Sequence, residues 1–253
     1  MFLVVLICCS VRGEFKEYEA KFYSPDEKLR VREKGGDYYL MSGNKWELIK
    51  SADTFGGEAS PVIFMDANGD GYTDVFLKIY DGRVEGFYSL FLIRPGLGKL
   101  LFSEQKSIFG NPKADRHGFS SFEHDGPFVK VEEYRSHDGS IYKYLGREPL
   151  SADIERVTLY DSSGEVISAS IRLLGSEELA CARAVSAKVF FYVEPNEERK
   201  TQMYLAKGDL ARVVDVTSDR EWLKVDYAKF KAISGWLRSN QTVIEGGACK
   251  NIN

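Results

Sequence analysis

The stretch that decides the fold is Asp66-Ala67-Asn68-Gly69-Asp70-Gly71-Tyr72-Thr73-Asp74, in which acidic and amide side chains alternate with small residues. Oxygen-bearing side chains fall at its first, third, fifth and ninth positions, and the glycine at the sixth permits a sharp turn. Calcium takes about six to eight oxygen ligands, which this spacing directs toward one point. The predicted calcium ligands are the side chains of Asp66, Asn68, Asp70 and Asp74 and the carbonyl oxygen of Tyr72.

The flanks of this acidic loop (residues 66–74) exclude an EF-hand. Its twelfth position is Leu77, where an EF-hand has a bidentate Glu, and both flanks are apolar runs without helical period. An ordinary polar turn is the alternative, since Asp, Asn and Gly favour turns anyway. Three carboxylates in nine residues repel one another without a cation, which favours calcium. The expected role is architectural, a metal that fixes two strands.

The remaining pattern predicts a mainly β protein. Short apolar runs such as Val75–Tyr80 and Phe87–Leu92 are separated by turn residues, for example at Asp81-Gly82 and Asp138-Gly139. Strands at this spacing favour antiparallel sheets, and aromatic residues, at 13%, are typical of strands. Ser107–Pro127 shows no clear period and is predicted to be a long loop.

The chain divides into three predicted segments: an export segment at residues 1–13, a β-rich module with the acidic loop at 14–172, and a second β module at 184–245. The boundary is placed between about 172 and 184. Residues Arg172 to Ala187 are the one predicted short helix or linker.

The N-terminus predicts export. Phe2 to Ile7 is an unbroken apolar run, too short to span a bilayer but suited to the centre of a secretory signal. Lipidation at Cys9, cleavage near Ser10 or Gly13 and a buried first strand are the alternatives. The expected location is the periplasm, or the envelope as a membrane-anchored lipoprotein.

Two further cysteines, Cys181 and Cys249, bracket the second module. An oxidising compartment allows them to form a disulfide. Two unpaired thiols are the alternative.

Several function classes are disfavoured by the sequence. The net charge of −4 offers no basic surplus for a phosphate backbone, so nucleic acid is not an expected partner. No nucleophile elbow, zinc-protease helix, phosphate loop or dinucleotide motif is present, so the protein is expected not to be an enzyme. His117, His124 and His137 are expected to be solvated loop residues. A hydrolase whose acid/base pair lies in the segment Ser107 to Asp138 is the third and weakest hypothesis.

The acidic loop, followed by Tyr88-Ser89-Leu90-Phe91-Leu92-Ile93-Arg94-Pro95-Gly96-Leu97-Gly98-Lys99-Leu100, resembles calcium-binding, lysozyme-inhibitor-like bacterial immunity proteins. The loop alone also resembles a single FG-GAP repeat. The first resemblance implies a β fold, a structural calcium, and a loop that enters the cleft of a peptidoglycan hydrolase. The same resemblance implies that the segment Ser136 to Tyr142 is the counterpart of this inhibitory loop, with Ser136, Gly139 and Tyr142 as partner-binding residues. An ordinary hairpin tip is the alternative.

The second module resembles a bacterial SH3 domain, on Ala187–Tyr192, Ala211–Val216, Trp222–Val225 and Gly235-Trp236-Leu237. The resemblance implies a small SH3-like β-barrel and an aromatic groove for a peptidoglycan peptide. The candidate groove residues are Tyr192, Tyr204, Trp222 and Trp236. Packing in the core or at the barrel edge is the alternative for Trp222 and Trp236.

Together these features predict a non-enzymatic exported protein that binds calcium and recognises a protein or the cell wall. Inhibition of a peptidoglycan hydrolase is the leading hypothesis, and a wall-binding accessory or scaffold protein is the alternative. The membrane is an expected partner only through a lipid anchor.

Overall fold

The computed structural model of the chain describes residues 10–12, 15–22, 28–51, 61–97, 99–228 and 232–247. These residues are nearly all in antiparallel β-sheets, so the predicted mainly β class is confirmed. The predicted apolar export run, Cys9 and Cys249 lie outside the described residues. Ser10–Arg12, at the end of the predicted export segment, forms a short strand.

Two meandering sheets open the chain. The first contains, in chain order, β1 (Ser10–Arg12), β2 (Phe15–Lys21), β3 (Lys28–Lys34), β4 (Asp37–Ser42) and β5 (Lys45–Ser51). The second contains β6 (Val62–Met65), β7 (Asp74–Asp81), β8 (Gly86–Pro95) and β9 (Leu100–Gly110). The acidic loop therefore joins two paired strands, β6 and β7, as predicted.

The third sheet is a six-stranded meander. Its strands, again in chain order, are β10 (Lys113–Ala114), β11 (Gly118–Asp125), β12 (Phe128–His137), β13 (Ser140–Pro149), β14 (Ile154–Tyr160) and β15 (Val166–Leu173).

The fourth sheet contains seven strands: β16 (Ala180–Ala184), β17 (Lys188–Tyr192), β18 (Lys200–Ala206), β19 (Leu210–Val216), β20 (Trp222–Ala228), β21 (Ala232–Arg238) and β22 (Thr242–Gly246). Their order is β18-β17-β21-β20-β19-β16-β22. Two 3-10 turns, Glu197–Arg199 and Ser239–Gln241, complete the elements. No pairing between the edge strands β18 and β22 is found in the described residues, so the closed SH3-like barrel stays a prediction.

The chain forms two compact units. The first runs to Leu145 and includes Asp161–Glu165; the second comprises Gly146–Tyr160 and the chain from Val166. The hairpin of β14 and β15 belongs to the second unit because Ile154 and Ile171 pack in its core. The sequence had grouped this hairpin with the N-terminal module.

In the first unit, strands β6, β7 and β8 are buried on both faces, whereas most of β9 is exposed. Val75 and Leu77 face a core shared with the β1–β5 sheet, whereas Phe76 between them faces a core with Phe119 and Tyr134. Alternate residues of a strand point to opposite faces, so an unbroken apolar run fits a strand covered on both sides.

Two predicted elements are wrong. The predicted loop at Ser107–Pro127 contains the end of β9 and the strands β10 and β11. On β11 the buried face alternates Phe119 with Ser121, and the Ser121 hydroxyl bonds the backbone of Gly110. A buried serine that is satisfied by long-range hydrogen bonds hides the strand period from the sequence.

The predicted helix or linker at Arg172–Ala187 is instead the end of β15, a turn, and the buried strand β16 between β19 and β22. Ala180, Ala182 and Ala184 favour a helix by propensity, but burial in the sheet overrides that preference.

Gly118 allows a close approach between β11 and β12. A Cβ at this position would lie 2.1 Å from the Tyr134 carbonyl oxygen. Gly118→Ala is therefore expected to lower the free energy of unfolding by about 1–3 kcal/mol, as measured by urea denaturation. Gly146→Ala is the matched control, because its Cβ meets no atom nearer than 3.8 Å. Equal stability of the two variants would contradict the close approach.

Candidate functional site

The acidic loop is coiled around its own carboxylates. Asp66 Oδ1 accepts hydrogen bonds from the backbone N–H groups of Gly69 (2.8 Å) and Asp70 (3.1 Å), and its Oδ2 accepts one from Gly71 (3.0 Å). Gly69 and Gly71 have φ values of 72° and 88°, which favour glycine. The glycine-dependent turn predicted from the sequence is therefore present.

The middle of the loop is held by hydrogen bonds between residues two positions apart. Asn68 Oδ1 accepts from the Asp70 N–H at 3.1 Å, and the Asn68 amide donates to Asp70 Oδ2 at 3.0 Å. Asp70 Oδ1 accepts from the Tyr72 N–H at 2.9 Å. Asn68 is buried, whereas Asp66 and Asp70 are accessible to solvent.

Asp74 is the buried end of the loop. Its Oδ2 accepts from the Ala67 N–H at 2.9 Å and its Oδ1 from the Ile93 N–H at 2.8 Å, so it joins both ends of the loop to β8. Burial raises the pKa of the Asp74 carboxyl to about 7, and the charges of Asp70 and Asp66 add to this effect against the two N–H donors.

The pKa of the Asp66 carboxyl is also raised. Desolvation raises the pKa of its carboxyl, and the charge of Asp70 adds to this, while the Gly71 and Gly69 N–H groups oppose it. The loop thus holds carboxylates that disfavour one another's charge, which a cation would reverse.

The loop bonds to the end of β2 and lies close to β12. Thr73 donates from its N–H to the Phe22 carbonyl (3.1 Å) and from its hydroxyl to the Lys21 carbonyl (2.7 Å) at the end of β2. On the other side, a Cβ on Gly69 would lie 3.8 Å from the Ser136 hydroxyl oxygen on β12. A fixed loop here would stabilise the packing of the three sheets.

The donor set suits calcium, since its side chains offer only oxygen acceptors and an amide. The carboxylate oxygens of the loop other than Asp66 Oδ1 accept one N–H each, which leaves a lone pair for a metal. Within the described residues, however, no group of three or more His, Cys, Asp or Glu side chains is arranged to hold a metal ion. The loop is therefore hydrogen-bonded as a set of turns, and calcium stays a prediction.

The predicted partner-binding segment is a β-hairpin tip. β12 and β13 are joined by Asp138 and Gly139, both with positive φ (51° and 74°), as in a tight two-residue turn. Ser136, Gly139 and Tyr142 are half-buried. The structure places this hairpin beside the acidic loop, a proximity that the sequence did not predict.

The predicted aromatic residues of the second module divide into two groups. Tyr192 and Trp222 are buried, with their rings 4.9 Å apart and edge to face. Arg238 covers Trp222 at 4.1 Å and is held by Glu197 and Glu221. Arg238 was not singled out from the sequence, because only the β20–β21 pairing places it over the indole.

Tyr204 and Trp236 remain accessible. Tyr204 is 44% exposed and Trp236 is half-buried, on β18 and β21. Lys188 lies 4.7 Å from the Tyr204 ring, and Lys224 lies 5.9 Å from the Trp236 ring. Of the four predicted groove residues, these two are the ones accessible to solvent.

The three histidines are exposed, as predicted, but only His117, between β10 and β11, is a loop residue. His124 lies on β11 and His137 at the end of β12, because the predicted loop is a pair of strands. His124 Nδ1 lies 3.1 Å from Glu85 Oε2, a buried oxygen that takes no hydrogen bond of good geometry within the described residues. His137 lies 3.6 Å from Asp138, its neighbour in the chain. The structure does not bring the three histidines together in one site.

Cys181 is fully buried and forms a disulfide. Its predicted partner, Cys249, comes three residues after Gly246 in the sequence. Gly246 pairs with Ala180, the residue before Cys181. Peptide mapping without reduction is expected to find Cys181 linked to Cys249, and Cys181→Ser is expected to lower stability by about 2–5 kcal/mol. A link from Cys181 to Cys8 or Cys9 would contradict this pairing.

No helix in the described ranges has the length and apolar content that a membrane crossing requires. Comparisons with known proteins found no matching family model, no match among curated proteins and no match among solved structures.

Proposed function

We propose that this chain is a non-enzymatic, exported bacterial envelope protein that binds calcium and recognises a protein partner, inhibiting a peptidoglycan hydrolase. The observation that carries the proposal is the position of the acidic loop against the β12–β13 hairpin, at Gly69 and Ser136. A loop fixed by calcium would hold this hairpin in one orientation, and a rigid hairpin binds with less loss of conformational entropy.

Several features support this function. The hairpin tip, with Gly139 between Ser136 and Tyr142, offers hydroxyl and aromatic groups on a tight turn. In this proposal the tip enters the cleft of the hydrolase. The resemblance to lysozyme-inhibitor-like immunity proteins and the apolar N-terminal run favour the same envelope location. In this proposal a lipid on Cys9, if attached, anchors the protein to the membrane.

The second candidate is a wall-binding accessory protein, which the exposure of Tyr204 and Trp236 favours. In this case the C-terminal unit, proposed to be SH3-like, binds a peptidoglycan peptide through its accessible aromatic side chains. No inhibition is then expected, and the first unit acts as a spacer.

One experiment separates the candidates. The full chain is added to a lytic assay with a panel of peptidoglycan hydrolases, tested alone for hydrolysis, and sedimented with purified cell walls. For an inhibitor, lysis falls and Tyr142→Ala removes the effect while Tyr204→Ala does not. For a wall binder, Tyr204→Ala lowers the amount of protein that sediments with cell walls, whereas Tyr142→Ala does not. Hydrolysis by the chain itself would contradict both proposals.

A further inference from the structure

Strand β9 carries a bulge beside Ser89 of the neighbouring strand β8. Ser89 lies opposite Ile108, and Phe91, two residues further along β8, lies opposite Glu104. Residues 105–107 of β9 therefore face a single residue of β8. A bulge bends its strand and interrupts the ladder of hydrogen bonds, and bulges are frequent at sheet edges and next to active sites.

A second bulge lies on the other side of β8. Lys78 pairs with Tyr88 and Tyr80 pairs with Phe87, so Ile79 is an extra residue on β7. The two bulges thus lie on either side of the same stretch of β8, residues 87–91.

A cavity of about 350 Å³ lies at these bulges. Its lining includes Lys50 of β5, Ile79 of β7, Ser89 of β8, and Glu104, Lys106 and Ile108 of β9. We name it the bulge cavity. Its volume falls in the range of small-molecule pockets, about 300–1,000 Å³. All of these residues belong to the first unit.

Ser89 lines the cavity with a hydroxyl that has no partner among the described residues. The residue is only 4% exposed, and its hydroxyl forms no hydrogen bond with any of them. Ser121, a similarly buried serine on β11, instead bonds the backbone of Gly110. Most buried polar groups are hydrogen-bonded, so the Ser89 hydroxyl suits a ligand that supplies the missing partner.

The charged groups of the lining leave one cation unbalanced. Lys50 forms an ion pair with Glu104. Lys106 is exposed and enters none of the ion pairs formed within the described part of the chain. Ile79 and the half-exposed Ile108 add apolar surface beside this ammonium group. The lining therefore combines one free cation, one free hydroxyl and an apolar wall.

We propose that the bulge cavity binds a small organic carboxylate with an apolar body. The carboxylate accepts hydrogen bonds from the Lys106 ammonium and the Ser89 hydroxyl, and the apolar body contacts Ile79 and Ile108. A single unbalanced cation suits one negative charge, whereas a phosphate group, with nearly two, calls for more. The carboxylate belongs either to a free acid or to the C-terminal residue of a peptide.

This site is independent of the proposed function, because it shares no residue with the acidic loop or the β12–β13 hairpin. Failure of calcium binding or of hydrolase inhibition leaves it untouched, and its own failure leaves them untouched.

The test is a titration of the isotope-labelled full chain, followed by NMR. Sodium hexanoate is the free acid, and hexanamide is its neutral control. The peptide probe is acetyl-glycyl-glycyl-leucine, and its C-terminal amide is the neutral control. Saturable shifts of the backbone amides of Ser89, Lys106 and Ile108 are expected with one or both carboxylates. The neutral probes are expected to bind about tenfold more weakly.

Two variants test the assigned residues. Lys106→Gln is expected to weaken carboxylate binding about tenfold and to leave hexanamide binding unchanged. Lys45→Gln is its matched control, because Lys45 is exposed at the other end of β5 and outside the cavity lining. Ser89→Ala is expected to weaken carboxylate binding without lowering the urea midpoint, since the hydroxyl gives up no bond within the described residues.

Binding of hexanoate alone identifies a free acid, binding of the peptide alone identifies a peptide C-terminus, and either result supports the site. The proposal is overturned if neither carboxylate gives saturable shifts at the cavity, or if each binds no more tightly than its neutral control. Equal carboxylate binding by Lys106→Gln and Lys45→Gln would also overturn it, as would a lower urea midpoint with unchanged binding in Ser89→Ala.

Discussion

Phe119→Ala is expected to destabilise the first unit by about 3–5 kcal/mol, the cost of removing a buried aromatic ring. The Phe119 ring is fully buried and stacks on Tyr134 at 4.9 Å. Its edges meet Phe76 at 5.0 Å and Phe109 at 5.1 Å. The substitution removes the ring that joins β11 to β7, β9 and β12. Urea denaturation followed by circular dichroism measures the loss.

Phe102→Ala is the matched control, because Phe102 lies on β9 with its side chain 36% exposed. Its loss is expected to cost less than half as much as the loss of Phe119. If both variants unfold at the same urea concentration, the second core of the first unit is not built around Phe119.

The calcium-free protein is expected to lose stability as pH rises from about 4 to 7. Burial raises the pKa of Asp74 to about 7 from 3.8, so between these values the native carboxyl holds a proton that the unfolded one has released. Stability from this group is complete below the lower value and is lost as pH approaches the upper one. The full difference is on the order of 4 kcal/mol. Urea unfolding in EDTA across this range measures it.

Asp74→Asn isolates the effect. The amide oxygen can accept from either Ala67 or Ile93, but the amide nitrogen cannot accept from the other. The variant is therefore expected to be less stable at acid pH by about 1–3 kcal/mol, and to show a smaller loss as pH rises. Glu132, with a lowered pKa, acts in the opposite direction in both proteins and cancels in the comparison. An identical slope in the two proteins would contradict the assignment to Asp74.

The strands and the acidic loop could be predicted from the sequence because their signals are local. Val75, Phe76 and Leu77 form an apolar run between turn residues, and Gly69 and Gly71 mark the coil of the loop. The side chains of this run alternate between two cores, which is why the run is unbroken instead of alternating with polar residues.

The two wrongly predicted elements, Ser107–Pro127 and Arg172–Ala187, contain strands that are held by contacts with residues outside the local sequence. Ser121 on β11 is buried with its hydroxyl bonded to the backbone of Gly110, eleven residues earlier, and β16 is an alanine-rich strand held by β19 and β22. The neighbours of the acidic loop were also beyond prediction. The approach of Ser136 to Gly69 depends on how separate sheets pack, which no short stretch of sequence encodes.

Calorimetric titration of calcium into the full chain decides whether the loop from Asp66 to Asp74 binds the ion. Asp161→Ala is the matched control, because Asp161 also accepts N–H bonds in a turn, from Ser163 and Glu165. We expect saturable binding of one ion in the parent and in Asp161→Ala, and none in Asp66→Ala. Absence of binding heat in the parent, or equal binding by Asp66→Ala, would contradict it.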